Sequence, residues 1–482
     1  MSPDISALFS NVWSIFLVAL FFGGTIFVHE LGHFLAARRR GVHVERFSIG
    51  FGPKIFSWHG RDGVEYRLSW IPLGGYVLLP QLADLGPIEG STATDVTKLP
   101  PLSYTTKMIV FAAGAAFNVL FAFVLACVLW AVGVKVAEEE QSTRVGFVRP
   151  TIEVSPGQSV PGPAFTAGLR ENDLIVAVDG KSVNSFSDIA NLIALGGGRD
   201  PKKRPQVDIT YTRDGVQQTT SVLPELAGTE KVREIGIEPA VKVTVSSLVA
   251  GSPAEAGGVK AGDVALALDG TTIHYTGFIS ERLKKSNGRP VELKLLRNQE
   301  EVVVRLQPKL MPDPETKIET YRLGIVLRGA FTTKTVHVAP WKQIQQQLLF
   351  TARNLGSLIN PHTDVGLSKM AGPVGIARIF HSAAESGLVA VFWFTILINI
   401  NLAVFNLLPI PVLDGGQMLF ATLARLRGRA LPMSFVATTQ GVFMVLILMM
   451  FVYITIYGDV RRLVQDKRAE RAELVTPVKS PK

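Results

Sequence analysis

The sequence predicts a polytopic α-helical membrane protein: four transmembrane helices, a membrane-associated β-hairpin segment and two tandem β-rich domains. Three observations lead there. Four long stretches carry no charge, Val12–Val28, Met108–Val134, Gly387–Leu413 and Pro432–Tyr457. An α-helix needs about 20 apolar residues to cross a bilayer, and all four are close to that length or above it. The first stretch runs directly into "FVHELGHFLA" (Phe27–Ala36), which places His29, Glu30 and His33 where ionisable groups are expensive. Finally, the long polar region between the second and third stretches contains an internal repeat. Apolar residues make up 47% of the 482, high for a soluble protein.

The first helix falls within 1–40. It does not read as a cleaved signal peptide, because no basic region precedes the apolar run and no small-residue cleavage site follows it. Residues 41–80 follow a different rule. Phe47, Ile49 and Phe51 alternate, as do Tyr66, Leu68 and Trp70, and Gly52-Pro53, Asp62-Gly63 and Gly74-Gly75 punctuate the runs. Such alternation between turn signals predicts β-hairpins. A loop rich in Pro, Gly, Asp and Thr covers 81–106, and the second helix is expected over 107–135.

The repeat lies between the second and third helices. "PAFTAGLRENDLIVAVDG" begins at Pro163 and "PAEAGGVKAGDVALALDG" at Pro253. Asp173/Asp263, Asp179/Asp269 and Gly180/Gly270 are among the identities at that offset. Two copies at this spacing mean two small tandem domains, expected at 143–226 and 232–310. Each resembles a PDZ domain of the bacterial protease type, a small β-barrel that takes an extended peptide as an added strand. A fold does not establish a function, so peptide binding and a purely steric role both stand. Trp341, Ile344, Leu348, Leu355 and Leu358 share a face over 340–360. This predicts an amphipathic helix, at the membrane surface or packed on the soluble domains. The third helix is expected over 386–416, the fourth over 432–457 and a tail over 458–482.

Charge orients the chain. Arg38-Arg39-Arg40 follows the first helix, and Arg425, Arg427 and Arg429 lie between the third and fourth. The positive-inside rule puts both clusters in the cytoplasm, and both termini and the repeat outside. The basic tail (Arg461, Arg462, Lys467, Arg468, Arg471) points the other way and is outvoted by two clusters that agree with four crossings. The net charge of +9 is spread out with no basic, aromatic-rich stripe, so nucleic acid is not an expected partner. The single Cys127 allows neither an internal disulfide nor a thiolate metal cage.

The chemistry sits at His29, Glu30 and His33. Residues four apart share a helix face with Cβ atoms about 6 Å apart, so both imidazoles can reach one zinc ion. Glu30, beside the first of them, can take a proton from a water that zinc has made acidic. One carboxylate can later return that proton to a leaving amine. A catalytic zinc needs a third protein ligand and an open position. Asp414 is the best donor. It sits in "NLLPIPVLDGG" (Asn406–Gly416), where Pro409 and Pro411 break the helix at membrane depth. Broken backbone is tolerated there when it is buried or lines a water-filled cavity.

"HELGH" followed at this distance by "NLLPIPVLDGG" resembles the site-2 protease family of intramembrane zinc proteases. The hairpin segment, tandem PDZ-like domains, amphipathic helix and "GPVGI" turn match its bacterial members in order, over nearly the whole chain. The resemblance implies that His29, His33 and Asp414 bind Zn2+, that Glu30 is the catalytic acid/base and that Asn406 holds substrate or the oxyanion. Many relatives carry His after the paired glycines; here it is Gln417, so that position receives no metal role. The resemblance also implies a bacterial inner membrane location and a single-span membrane protein as substrate. An anti-sigma factor already trimmed on its outer side is the first such substrate, and remnant signal peptides the second. Two rivals are a zinc membrane enzyme acting on lipid and a non-enzymatic scaffold. The PDZ-like domains argue against the first, and the complete ligand set against the second.

Overall fold

The computed structural model describes residues 5–82, 99–138, 141–155, 158–228, 231–312, 319–330, 333–462 and 464. Most of the loop expected at 81–106, and nearly all of the tail beyond its first residues, lie outside them. The chain forms two compact units. Met1–Val134, His337–Gly356 and Gly366–Lys482 make the first, and Lys135–Val336 with Ser357–Val365 the second.

The first unit holds the helices. α1 spans Ile5–Arg39, and the strands β1 (Arg46–His59) and β2 (Glu65–Leu78) follow it. α2 spans Tyr104–Val132. It starts where the Ser103 hydroxyl accepts from Thr106 N–H and ends at Gly133, whose φ of +79° stops the helix. After the second unit come α3 (Pro340–Ile359), α4 (Pro373–Ser386) and α5 (Leu388–Asn406). α6 (Asp414–Arg427) and α7 (Met433–Ile454) complete the set. Four of these, with bounds Val12–Arg39, Tyr104–Val132, Leu388–Asn406 and Met433–Val460, are long and apolar enough to cross a membrane.

Small residues let the spans pack closely. Ala122 and Ala126 of α2, with Leu125 and Leu129, bury against Ile396 and Ile400 of α5 and Ile344 of α3. Lipid offers no hydrophobic drive for such contacts, so close packing and interhelical hydrogen bonds supply it. Asn399 of α5 donates one such bond to Thr25 of α1 at 2.9 Å.

One expectation needs correction in detail. The helix expected over 386–416 ends at Asn406, and Asp414 begins a separate helix. The Pro-rich residues between them turn back on themselves, with Leu413 N–H donating to Ile410 O at 2.8 Å. The amphipathic helix buries one residue of its expected face, Ile344, and leaves Trp341 and Leu348 of that face exposed. α3 buries Ile344, Gln347 and Thr351, with the Thr351 hydroxyl 2.6 Å from Asn401 Oδ1 of α5, and leaves Trp341, Leu348 and Phe350 outward.

β1 and β2 do more than form one hairpin. Lys54–His59 runs antiparallel to Glu65–Ser69, and Arg46–Ile49 runs antiparallel to Gly75–Leu78. Arg46–Ile49 also lies beside Glu65–Leu68, with the paired residues advancing together. The resulting small sheet rests on α1 through Phe34, Ala37, Phe47 and Val77.

The second unit holds two β-rich lobes with separate cores, one built on Ile175, Ile189 and Ile209, the other on Leu268, Leu293 and Leu295. They repeat an ion pair. Asp173 receives Arg213 at 2.7 Å and Asp263 receives Arg297 at 2.6 Å, each carboxylate nearly fully buried. The Arg297 guanidinium holds the Asp263 carboxyl below the usual carboxylate range. The short segment Ser357–Val365 also belongs to this unit. Its Asp364 sits between Arg199 (2.8 Å) and the buried Arg233 (2.6 Å). Burial alone would raise the Asp364 carboxyl, but the two guanidiniums hold it below its ordinary value.

Candidate active site

α1 carries His29 and His33 on one face near its C-terminal end, both more than nine-tenths buried. Their Nε2 atoms lie 3.1 Å apart. α6 brings Asp414 to them from 381 residues away in sequence. Its Oδ2 is 3.3 Å from His29 Nε2 and 3.5 Å from His33 Nε2. Among the described residues this is the group of three or more His, Cys, Asp or Glu side chains whose ligand atoms converge, all within 4.8 Å of one another.

This donor set fits zinc. Bonds of about 2.0–2.1 Å in a tetrahedral array put ligand atoms roughly 3.3–3.4 Å apart, the edge length seen here. Asp414 Oδ2 is also buried with no hydrogen-bond donor among the described residues, an expensive state for a carboxylate oxygen that a cation would relieve. Two neutral imidazoles and one carboxylate leave a tetrahedral ion one open position.

The backbone that presents Asp414 explains its paired glycines. A Cβ on Gly416 would run into the carbonyl of Ile410, so the loop and the start of α6 can close up only without side chains there. Gln417, buried, donates to Pro411 O at 3.3 Å and braces the same loop. Asn406, the last residue of α5, places Nδ2 3.3 Å from His29 Nε2. Its amide N–H therefore lies on the side where the three ligand atoms meet.

Glu30 points toward the sheet. A Cβ on Gly75 would lie 3.4 Å from Glu30 Cγ. Leu78 turns its carbonyl into the sheet, accepting from Glu45 N–H at 3.1 Å. Val77, one residue back, turns its backbone groups outward, because successive strand residues alternate. Among the described residues no further strand pairs with this side of β2, so its edge runs past Glu30 unpaired.

Two residues that sequence reasoning passed over belong to this site. A Cβ on Gly114 of α2 would run into His33 Nε2 and come within 2.6 Å of His29 Cε1, so only glycine lets α2 approach both rings. Asn118, one turn further on and fully buried, places Nδ2 3.2 Å from His29 Nδ1. The signal available was the amide itself, a polar side chain in a charge-free span.

These features define a class of protein, and comparison with known proteins gives the same one. Residues 16–450 match the model of peptidase family M50, the site-2 protease family, and the chain belongs to it. It is a zinc metalloprotease with four candidate membrane helices. Its relatives include the "Regulator of sigma E protease" of Haemophilus influenzae, 29% identical over 87% of this chain and 92% of that one. "Protease RseP" of Yersinia pestis is 31% identical over 87% of this chain and 92% of its own length. A Pasteurella multocida protein named as a zinc metalloprotease is 29% identical over 88% and 93%.

Proposed function

We propose that this chain hydrolyses a peptide bond within the transmembrane segment of membrane proteins. The observation that carries this reading is the convergence of Asp414, which opens α6, with His29 and His33, which lie on a helix long and apolar enough to cross a membrane. His29, His33 and Asp414 hold zinc. When bound, zinc polarises the scissile carbonyl and lowers the pKa of water enough for attack near neutral pH. Glu30 takes a proton from the attacking water as its oxygen bonds to the carbonyl carbon. It then delivers that proton to the amide nitrogen as the C–N bond breaks. Asn406 donates from Nδ2 to the oxygen on which negative charge develops. Purified protein in lipid nanodiscs with a single-span substrate, its products mapped by mass spectrometry, tests the reading. Cuts confined to residues outside the span would overturn it.

The substrate must unwind, because a helix hides its amides in its own hydrogen bonds. The outward edge at Val77 is placed to pair with those amides. Of the positions suited to a proline probe, Leu78 is excluded by its bond into the sheet, and the Ile71 side chain lies outside the described residues. Val77→Pro remains. It should slow cleavage of spans about tenfold or more, the worth of one lost charge-assisted or edge hydrogen bond, and leave zinc content unchanged. Unchanged turnover would rule out pairing at this edge.

The sheet presents Phe56, Trp58 and Trp70 at 50–67% exposure, a surface suited to the membrane interface. We place the arginine clusters in the cytoplasm of a bacterial inner membrane, with both termini and the two β-rich lobes on the periplasmic side. The substrate best suited is a single-span protein such as an anti-sigma factor after an outer-side cut, with remnant signal peptides a second class. We read the lobes as PDZ-like domains that obstruct substrates with large outer domains. Replacing the whole unit, 135–336 together with 357–365, by neutral linkers should then leave cleavage of a trimmed substrate intact and raise cleavage of the untrimmed one. Slower cleavage of the trimmed form would instead identify the lobes as recruiters by strand addition.

A further inference from the structure

A histidine binds a metal through one ring nitrogen only if the other carries the proton, and the partner of that second nitrogen decides the matter. For His33 the partner is backbone. Nδ1 lies 2.8 Å from Val110 O, which can only accept, so the proton sits on Nδ1 and Nε2 keeps its lone pair. His29 is held differently. Its Nδ1 faces a side chain, the Asn118 carboxamide, at 3.2 Å.

A carboxamide offers either a donor or an acceptor, exchanged by a half-turn about its last side-chain bond. With Nδ2 toward His29, Asn118 Oδ1 is buried and has no donor among the described residues. Once His29 Nε2 gives its lone pair to a metal, Nδ1 carries a proton, and the facing group must accept it. Asn118 meets that demand through Oδ1. The amide is buried at membrane depth, where an unmatched polar group is costly. It also sits four residues after Gly114, on the face whose missing side chain lets α2 reach both rings.

We propose that Asn118 is the positioning residue that fixes His29 in its metal-binding tautomer, accepting the Nδ1 proton through its side-chain carbonyl. Gly114 sets the distance between α2 and the histidines, and Asn118 sets the ring's orientation. The inference rests on the zinc reading above and deepens it. It makes the two histidines unequal, since one is held by a carbonyl that no substitution removes and the other by a side chain that one substitution does.

Zinc affinity of the purified full-length protein, measured by competition with a chromogenic chelator, tests this without reference to turnover. Asn118→Leu keeps the size and loses the acceptor. It should bind zinc roughly 10–100-fold more weakly, the usual cost of a lost outer-shell bond. Its cobalt(II)-substituted form should show a shifted visible spectrum. Asn118→Asp keeps an acceptor at the same place and should bind zinc at or above the wild-type affinity. If Asn118→Leu fails to fold, as judged by its thermal transition, Asn118→Ala carries the same expectation. Wild-type affinity in the variant lacking an acceptor overturns the proposal, as does an aspartate variant as weak as the leucine one. Wild-type protein that binds no zinc overturns the zinc reading itself, a result distinct from either.

Discussion

Glu30→Gln retains zinc and loses cleavage of a membrane-spanning substrate by about 10²–10⁴-fold, the range that a positioned acid/base contributes. The amide matches the carboxylate in size and shape, so the local structure has no reason to change. What it cannot do is take a proton from water. Metal content by atomic emission, together with turnover on a model span, checks the expectation. Turnover near the wild-type rate would remove Glu30 from the reaction. Equal loss of zinc and activity would recast it as a structural prop.

Asp414→Ala is expected to empty the metal centre. His29 and His33 alone leave a zinc ion two ligands short of four, and the loss in affinity should exceed the roughly 10–100-fold that an outer-shell bond is worth. Asp414 also opens α6, where a carboxylate favours the helix N-terminus. Asp414→Asn is the companion variant, since it keeps an oxygen at the helix start and removes the charge. Both should lose zinc on dialysis against a mild chelator that leaves wild-type protein loaded. Full occupancy in both would move the third ligand elsewhere.

Much of the architecture is legible in the sequence alone, because a bilayer imposes strong rules. Charge-free runs of spanning length, prolines that break α5 before Asp414 and alternation in the strands each have one dominant physical reading. The misreadings have physical causes too. Periodicity finds the apolar face of α3 without saying what faces it. Trp341 and Leu348 turn outward while Ile344, Gln347 and Thr351 turn in, Thr351 meeting Asn401. The side-by-side run of Arg46–Ile49 with Glu65–Leu68 joins the start of β1 to the start of β2 across the intervening Lys54–His59, and alternation carries no record of it. Asn118 shows in the sequence only as an amide in a charge-free span, and Gly114 not at all, because each acts through a ring on another helix. His29, His33 and Asp414 were readable because zinc chemistry restricts spacing and residue type together.

The short segment Ser357–Val365 carries a lesson for anyone cutting this protein apart. The chain passes from one unit to the other four times, after Val134, Val336, Gly356 and Val365. The β-rich unit is therefore not a cassette between two splice points. Excising 143–310 removes Arg199 and Arg233 and strands the Asp364 carboxylate that they hold. A clean excision must extend through Val336, since Ile325–Ala330 pairs with Lys242–Leu248, and must also replace 357–365 with a neutral linker. Transplanting the β-rich unit onto another peptidase core would require two simultaneous grafts, so exchange of this unit between such enzymes faces a barrier that end-to-end modules do not.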